Sequence, residues 1–204
     1  MVAAPAWRIA GASVTGAYHA LRGDLCQDRH RLEVTPGGAL IAVVSDGAGS
    51  AVRGGEGASI LCEQVTVALA GALGGDRPRP SRALLRHGVR AVCAGIEAAR
   101  SRIADAPSDY HATLVGAVVL PGEGGLFFHI GDGAALALES GGGRWALSAP
   151  RNGEYSHETY FFTENDWRKR LRFTLVAPDF DTIFVMTDGV TDVGLQNMRS
   201  GPEP

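Results

Sequence analysis

Cysteine is scarce in this chain. The 204 residues include three, Cys26, Cys62 and Cys93, far apart and without C-x-x-C spacing. That argues against a disulfide framework and a thiolate zinc site, and it suits a reducing compartment. No apolar run approaches the roughly 20 residues that a membrane-spanning helix needs. The N-terminal MVAAPAWRIAGAS lacks a charged segment followed by a long apolar one, so no secretory signal is expected and the expected location is the cytoplasm. A dense Lys/Arg stripe is also missing, and the formal charge is -3, which argues against a nucleic-acid surface. The arginines between Arg77 and Arg102 are spread around a helical pattern and read as a solvated face. Several catalytic signatures are absent: no G-x-x-x-x-G-K-[ST] loop, no H-E-x-x-H, no G-x-S-x-G elbow. The glycines from Gly47 to Gly57 do not match a dinucleotide fingerprint. What is present is ordinary for one soluble globular domain, with 45% hydrophobic and 20% charged residues.

The chain opens with a possible strand from Trp7 to Val14, then a polar loop through Tyr18 to Asp28. Leu32–Val34 and Ala39–Val44 flank Thr35-Pro36-Gly37-Gly38, a strong turn signal, and read as an antiparallel hairpin. Asp28 lies before its first strand and Asp46 after its second, so the two acids are expected at the same end. An Ala/Leu/Val-rich helix is expected over Glu56–Leu73. A second follows a Pro/Gly break, from an N-capping Ser81 to about Ile103, with Leu85, Val89, Val92, Ile96 and Ile103 on one stripe. The pair is expected to lie antiparallel on a sheet, with His87 on the surface. Closely spaced strands then follow: His111–Leu120, Leu126–Ile130, Ala134–Glu139 and Arg144–Leu147. Their spacing favours an antiparallel sheet over βαβ units. Ser148–Trp167 reads as a surface excursion, Leu171–Ala177 and Thr182–Thr187 as a hairpin around Pro178-Asp179, and Met198–Pro204 as a loose tail.

One pattern recurs three times: an apolar, strand-like run that ends in Asp-Gly. It appears as IAVVSDG up to Gly47, LFFHIGDG up to Gly133 and TIFVMTDG up to Gly189. A single Asp-Gly is more often a hairpin turn than a site. Three at strand ends suggest converging carboxylates, and hard divalent cations prefer oxygen ligands. The candidate set is Asp28, Asp46, Asp132, Asp188 and Asp192. The last two are four apart in TDGVTD and would share one face of a turn or short helix.

These residues resemble the type-2C metal-dependent Ser/Thr protein phosphatases, in particular their compact bacterial branch. The resemblance is carried by CQDRH at Cys26–His30, SDGAGS at Ser45–Ser50, ATLVGAVV at Ala112–Val119, HIGDG at His129–Gly133 and VMTDGVTD at Val185–Asp192. It implies an α+β fold, a four-layer α-β-β-α sandwich of two antiparallel sheets flanked by helix pairs, here as a single domain over residues 1–204. It implies a cytoplasmic signalling enzyme acting on phosphoserine or phosphothreonine in proteins, with a phosphorylated protein as substrate and a Ser/Thr kinase as a potential partner, and with no nucleic acid or membrane. Two Mg²⁺ or Mn²⁺ ions are implied, with a weaker third. Asp46 would bridge both ions, the Gly47 carbonyl would bind one, and Asp188 would bind the first. Asp132, Asp188 and Asp192 match the acids of the third ion, and Asp28 matches the acid of the N-terminal motif. Asp46 and Asp188 are thus the implied catalytic acids, in direct attack of activated water on a phosphomonoester.

Three departures qualify the resemblance. Gln27 stands where many relatives carry Glu, which removes one metal contact. The phosphate-gripping arginine of many relatives falls at Gly23, leaving Arg22 or His19 as substitutes. The family's last strand, with its final metal-binding Asp, has no counterpart before Pro204, so truncation at the C-terminal end is expected. The rival reading is a phosphatase-like module that binds a phosphoprotein or regulatory partner with little or no turnover. A hydrolase of small phosphate esters is a third reading, and a β-rich protein with acidic turns is the plainest. Cys26, His111, His129, Trp145 and Trp167 read as packing residues, and NGEYSHETYFFT as either a flap or a satellite core.

Overall fold

The Thr35–Gly38 turn starts the sheet. In the computed structural model, Gly38 N–H donates to the Thr35 carbonyl at 2.8 Å and Ala39 N–H to Thr35 Oγ1 at 3.1 Å. The turn joins β1 (Arg29–Val34) to β2 (Leu40–Ser45) in antiparallel register, from Val34 opposite Leu40 to Arg29 opposite Ser45. The structure describes residues 7–23, 25–73, 81–120, 122–141, 143–149 and 159–194, without the side chains at 17–19, 81–85 and 192–194. A short helix, α1 (Ala17–Arg22), precedes β1. After β2 come α2 (Gly54–Leu73) and α3 (Ser81–Arg102), then β3 (Leu114–Leu120) and β4 (Gly124–Ile130). The remaining elements are β5 (Ala134–Leu138), β6 (Trp145–Ser148), α4 (Trp167–Arg170), β7 (Arg172–Val176), β8 (Thr182–Met186) and α5 (Asp188–Gly194).

Two antiparallel sheets result, as expected. One has the order β1-β2-β3-β4-β7, the other β6-β5-β8. The fully buried strands β2, β3 and β4 send alternate residues to opposite faces. Ile41, Val43, Val118, Leu126 and Phe128 meet Leu61, Val65 and Leu69 of α2 and Val92 and Ile96 of α3 in the larger core. Leu40, Ala42, Val44, Val115, Ala117 and Phe127 meet Ala135 and Ala137 of the second sheet in the smaller one. The two helices approach closely at Gly95, where a β-carbon would stand 2.6 Å from Val65 Cα. A second helix pair covering the other sheet is not among the described residues.

Two expectations are corrected. Trp7–Val14 is not a strand; among the described residues it has no ladder partner. Ala10, Gly11, Ala12 and Ser13 offer too little side chain to bury, and Ile9 and Val14 are exposed. The segment is instead tied to β1 by Ser13 Oγ, 3.0 Å from His30 Nδ1, and lines a cavity of about 710 Å³ beside β2 and β8. Nor do β7 and β8 form a hairpin. β7 pairs with β4, from Gly125–Val176 to His129–Arg172, whereas β8 pairs with β5, from Ala134–Met186 to Leu138–Thr182. The cause lies upstream. The chain leaves the first sheet at residues 131–133, so β4 and β5 each present a free edge in a different sheet. Asp181 N–H, donating to the Leu138 carbonyl at 3.1 Å, hands the returning chain to β5.

Candidate active site

The last ladder pair of the hairpin is Arg29–Ser45, so Asp28 and Asp46 leave it side by side. Asp46 is fixed from its far side by Thr113: Asp46 N–H donates to Thr113 Oγ1 at 3.1 Å and Thr113 N–H donates to the Asp46 carbonyl at 2.9 Å. Ser45 Oγ donates to the Thr113 carbonyl at 2.6 Å, which completes the clamp. Gly47 then forms an isolated antiparallel bridge with Ala112. A β-carbon at Gly47 would stand 2.3 Å from the Gly54 carbonyl carbon, so glycine is what lets the loop cross the start of α2.

From the second sheet, β8 delivers Thr187 and Asp188. Thr187 Oγ1 donates to Asp28 Oδ2 at 3.3 Å, a direct link between the strand ends of the two sheets. Asp188 opens α5, where its Oδ1 accepts from Gly189 N–H at 2.6 Å and its carbonyl from Thr191 Oγ1 at 2.9 Å. The carboxyls of Asp28, Asp46 and Asp188 meet with Asp46 in the middle, within hydrogen-bonding reach of both others. Burial and then the neighbouring acids, Asp28 before Asp188, push the Asp46 carboxyl from 3.8 up to about 9. In the cation-free protein the Asp46 carboxyl therefore keeps its proton at neutral pH.

This trio is the part of the expected acid set that the structure brings together. Among the described residues no three His, Cys, Asp or Glu side chains are already spread into a ready-made metal-ligand group. The three carboxyls crowd together, and a divalent cation between them would satisfy the same oxygens. The donor chemistry thus fits a hard cation. Asp132 lies in the crossing between sheets, where its Oδ2 accepts from Thr159 Oγ1 at 2.5 Å, and it is not one of the groups that perturb Asp46. Arg22 is exposed at the end of α1. Gly23 follows it with a left-handed φ of 77°. The side chains of Asp192 and His19 lie outside the described residues.

Residues 161–163 dock on His111 and Ala112, just before β3. Phe162 N–H donates to the Ala112 carbonyl at 3.1 Å, His111 Nδ1 lies 2.5 Å from Thr163 Oγ1, and the His111 ring stacks on Phe161 at 4.8 Å. Arg100 of α3 holds the same segment through the Phe162 and Glu164 carbonyls at 2.7 and 2.9 Å. His129 is fully buried, 3.1 Å from Ser148 Oγ and 3.2 Å from an Arg172 nitrogen, both at Nδ1. An arginine can only donate, so Nδ1 accepts and the ring proton sits on Nε2. Both histidines are thus built into packing, as expected. Residues that sequence reasoning passed over are the hydroxyl clamps Thr113, Thr159 and Thr187. All three lay within stretches singled out above, but nothing in spacing marks a threonine as the partner of a distant acid.

A family model described as Protein phosphatase 2C matches residues 15–201. The chain belongs to that family. Serine/threonine-protein phosphatase 3 of Escherichia coli K12 is 27% identical over 201 residues, covering 96% of this chain and 78% of the relative. The fold is shared with the serine/threonine phosphatase Stp1 of Staphylococcus aureus, at a TM-score of 0.67 and 14% identity over 92% of this chain and 78% of that one. It is shared also with the catalytic domain of the phosphatase PstP in complex with two manganese ions, at a TM-score of 0.54 and 18% identity over 88% and 75%. Among the described residues of this phosphatase 2C chain no helix is long and apolar enough to cross a membrane.

Proposed function

We propose that this chain is a metal-dependent protein-serine/threonine phosphatase that hydrolyses phosphomonoesters by direct attack of water. The observation that carries the reading is the convergence of Asp28, Asp46 and Asp188 from the ends of two sheets, with Thr187 linking the strand ends. Asp46 and Asp188 would hold the first of two Mg²⁺ or Mn²⁺ ions, and Asp46 with the Gly47 carbonyl the second. Asp132, Asp188 and Asp192 would hold a weaker third. When bound, such ions offset the charge of the phosphoryl group and supply a water acidic enough to attack at neutral pH.

The protein's own groups set the geometry. Thr113 and the Gly47–Ala112 bridge keep the Asp46 backbone from turning, so its carboxylate is aimed before any ligand arrives. Thr187 holds Asp28 toward Asp46, which leaves Asp28 able to orient a water or take its proton. Arg22 and His19 are the candidates to meet the phosphate, in place of the arginine replaced by Gly23. A Ser/Thr kinase is the natural counterpart of such an activity, and a phosphorylated protein its substrate. One feature favours the rival reading of a binding module: Gly23 stands where many relatives carry a phosphate-gripping arginine.

Hydrolysis of p-nitrophenyl phosphate and of a phosphothreonine peptide with Mn²⁺, with and without chelator, tests this, with Asp46→Asn as the blank. Metal-dependent turnover that the variant loses is the expected result. Folded protein with no turnover above the blank would overturn the enzyme reading and leave the binding module.

A further inference from the structure

In the bridge between Gly47 and Ala112 the two hydrogen bonds flank the pair. Ala48 N–H donates to the His111 carbonyl and Thr113 N–H to the Asp46 carbonyl, each at 2.9 Å. Gly47 and Ala112 are therefore a non-hydrogen-bonded pair, and their own N–H and C=O groups point away from each other's strand. Gly47 is buried, so its carbonyl needs a donor from the opposite side. Gln27 supplies it. Its side-chain nitrogen stands 2.8 Å from the Gly47 oxygen and 3.2 Å from the Ala48 oxygen, in the amide orientation that matches donor to acceptors.

The space around that side chain is shaped to it. A β-carbon at Gly54 would lie 2.7 Å from both the Gln27 amide nitrogen, in that orientation, and the Ala48 oxygen, and one at Gly55 would lie 3.2 Å from Gln27 Cα. Two glycines at the start of α2 thus make room for one glutamine, which is the immediate neighbour of Asp28. The chain step that delivers the acid also delivers the brace.

We infer that Gln27 is a positioning residue for the cation site. Its amide binds one lone pair of the Gly47 carbonyl and sets the direction of the other, next to Asp46. A carbonyl oxygen has two such pairs, so a neutral donor on one leaves the second for a cation. A carboxylate in the same place would set acceptors against the Gly47 and Ala48 oxygens. Glutamine instead orients the loop without adding negative charge beside three converging acids. This inference rests on the metal-dependent reading above, in which the Gly47 carbonyl contacts an ion.

Gln27→Met keeps the length of the side chain and removes both donors. Mn²⁺ binding to metal-free protein is followed through the electron paramagnetic resonance signal of free Mn²⁺, and a thermal melt in chelator registers folding. The variant is expected to weaken at least one bound Mn²⁺ by about tenfold or more, the usual effect of removing a group that orients a ligand. Gln27→Leu serves in its place if the Met protein does not fold. A merely structural glutamine would lower the melting temperature and leave the affinity of the folded protein alone. Affinity within about twofold of the parent in either folded variant would overturn the role of Gln27 and leave the phosphatase reading intact. No Mn²⁺ binding by the parent protein would overturn both.

Discussion

Replacing the Asp46 carboxyl with a group that cannot titrate is expected to stabilise the metal-free protein. Its carboxyl is pushed from 3.8 to about 9, first by burial and then by Asp28 and Asp188. Below pH 3.8 the group is protonated whether the chain is folded or not, so it contributes no pH-dependent difference. Between 3.8 and about 9 the unfolded chain releases the proton and the folded chain keeps it, so stability falls as pH rises across that window. At pH 7 the loss amounts to at most about 4 kcal/mol, at about 1.36 kcal/mol per pH unit. Relaxation around the acids brings the expectation to about 2–4 kcal/mol. Asp46→Asn keeps the shape and has no proton to lose. In chelator at pH 7 it should melt about 5–15 °C above the parent protein. Near pH 4 the two should melt together. Mn²⁺ should close most or all of that gap, raising the parent by about 3 kcal/mol at a hundredfold excess over its dissociation constant, and the variant far less. Calorimetry under these conditions decides the matter. A variant no more stable than the parent at pH 7 in chelator, or an offset unchanged at pH 4, would refute the raised Asp46 carboxyl.

The buried His129 titrates in the other direction. Burial, and then the Arg172 guanidinium, push it from 6.5 down to about 3. Between those values the unfolded chain takes up a proton that the folded chain refuses, so this residue makes stability fall as pH drops from 6.5 toward 3. The ring resonances of His129 should therefore stay fixed from about pH 5 to 8 by NMR; a midpoint near the ordinary histidine value would refute the placement. Gly47→Ala forces a β-carbon against the Gly54 backbone, 2.3 Å away, where no side chain can move aside. It should cost about 2 kcal/mol or more in urea unfolding and weaken Mn²⁺ binding as the loop shifts. A loss under about 0.5 kcal/mol would show that the crossing is slack.

Local patterns carried much of the fold. The hairpin was legible because Thr35-Pro36-Gly37-Gly38 separates two β-rich runs, and its antiparallel register alone places Asp28 beside Asp46. The helices were legible from apolar spacing, and Val92, Ile96 and Ile103 of the expected stripe are buried. What failed were pairings that depend on which sheet edge is free. Pro178-Asp179 between two apolar runs looks the same whether the runs pair with each other or part company. Trp7–Val14 alternates well enough for a strand, but alternation cannot supply a partner. The site divides along the same line. The acids were visible as Asp-Gly at strand ends, whereas Thr113, Thr159 and Thr187 became visible only once distant segments were brought together.

The parting of β7 and β8 matters for the chemistry. A hairpin would have kept both strands in the first sheet and carried Asp188 along its edge, away from β2. Because β4 passes into β5 through residues 131–133, the second sheet offers β5 as the partner of β8. β8 then runs beneath β2 and β3, with Ile183 and Val185 packed in the core between the sheets. Its end therefore emerges below the end of the β1–β2 hairpin, where Thr187 reaches Asp28. Two sheets stacked through one apolar layer, each ending in an acid at the same side, force together charges that no single sheet would hold so close. The apolar layer fixes their separation and also raises the cost of leaving them without a counter-ion. The packing that stabilises the sandwich and the convergence that suits it to a cation are thus one feature, built by sending β8 to the second sheet.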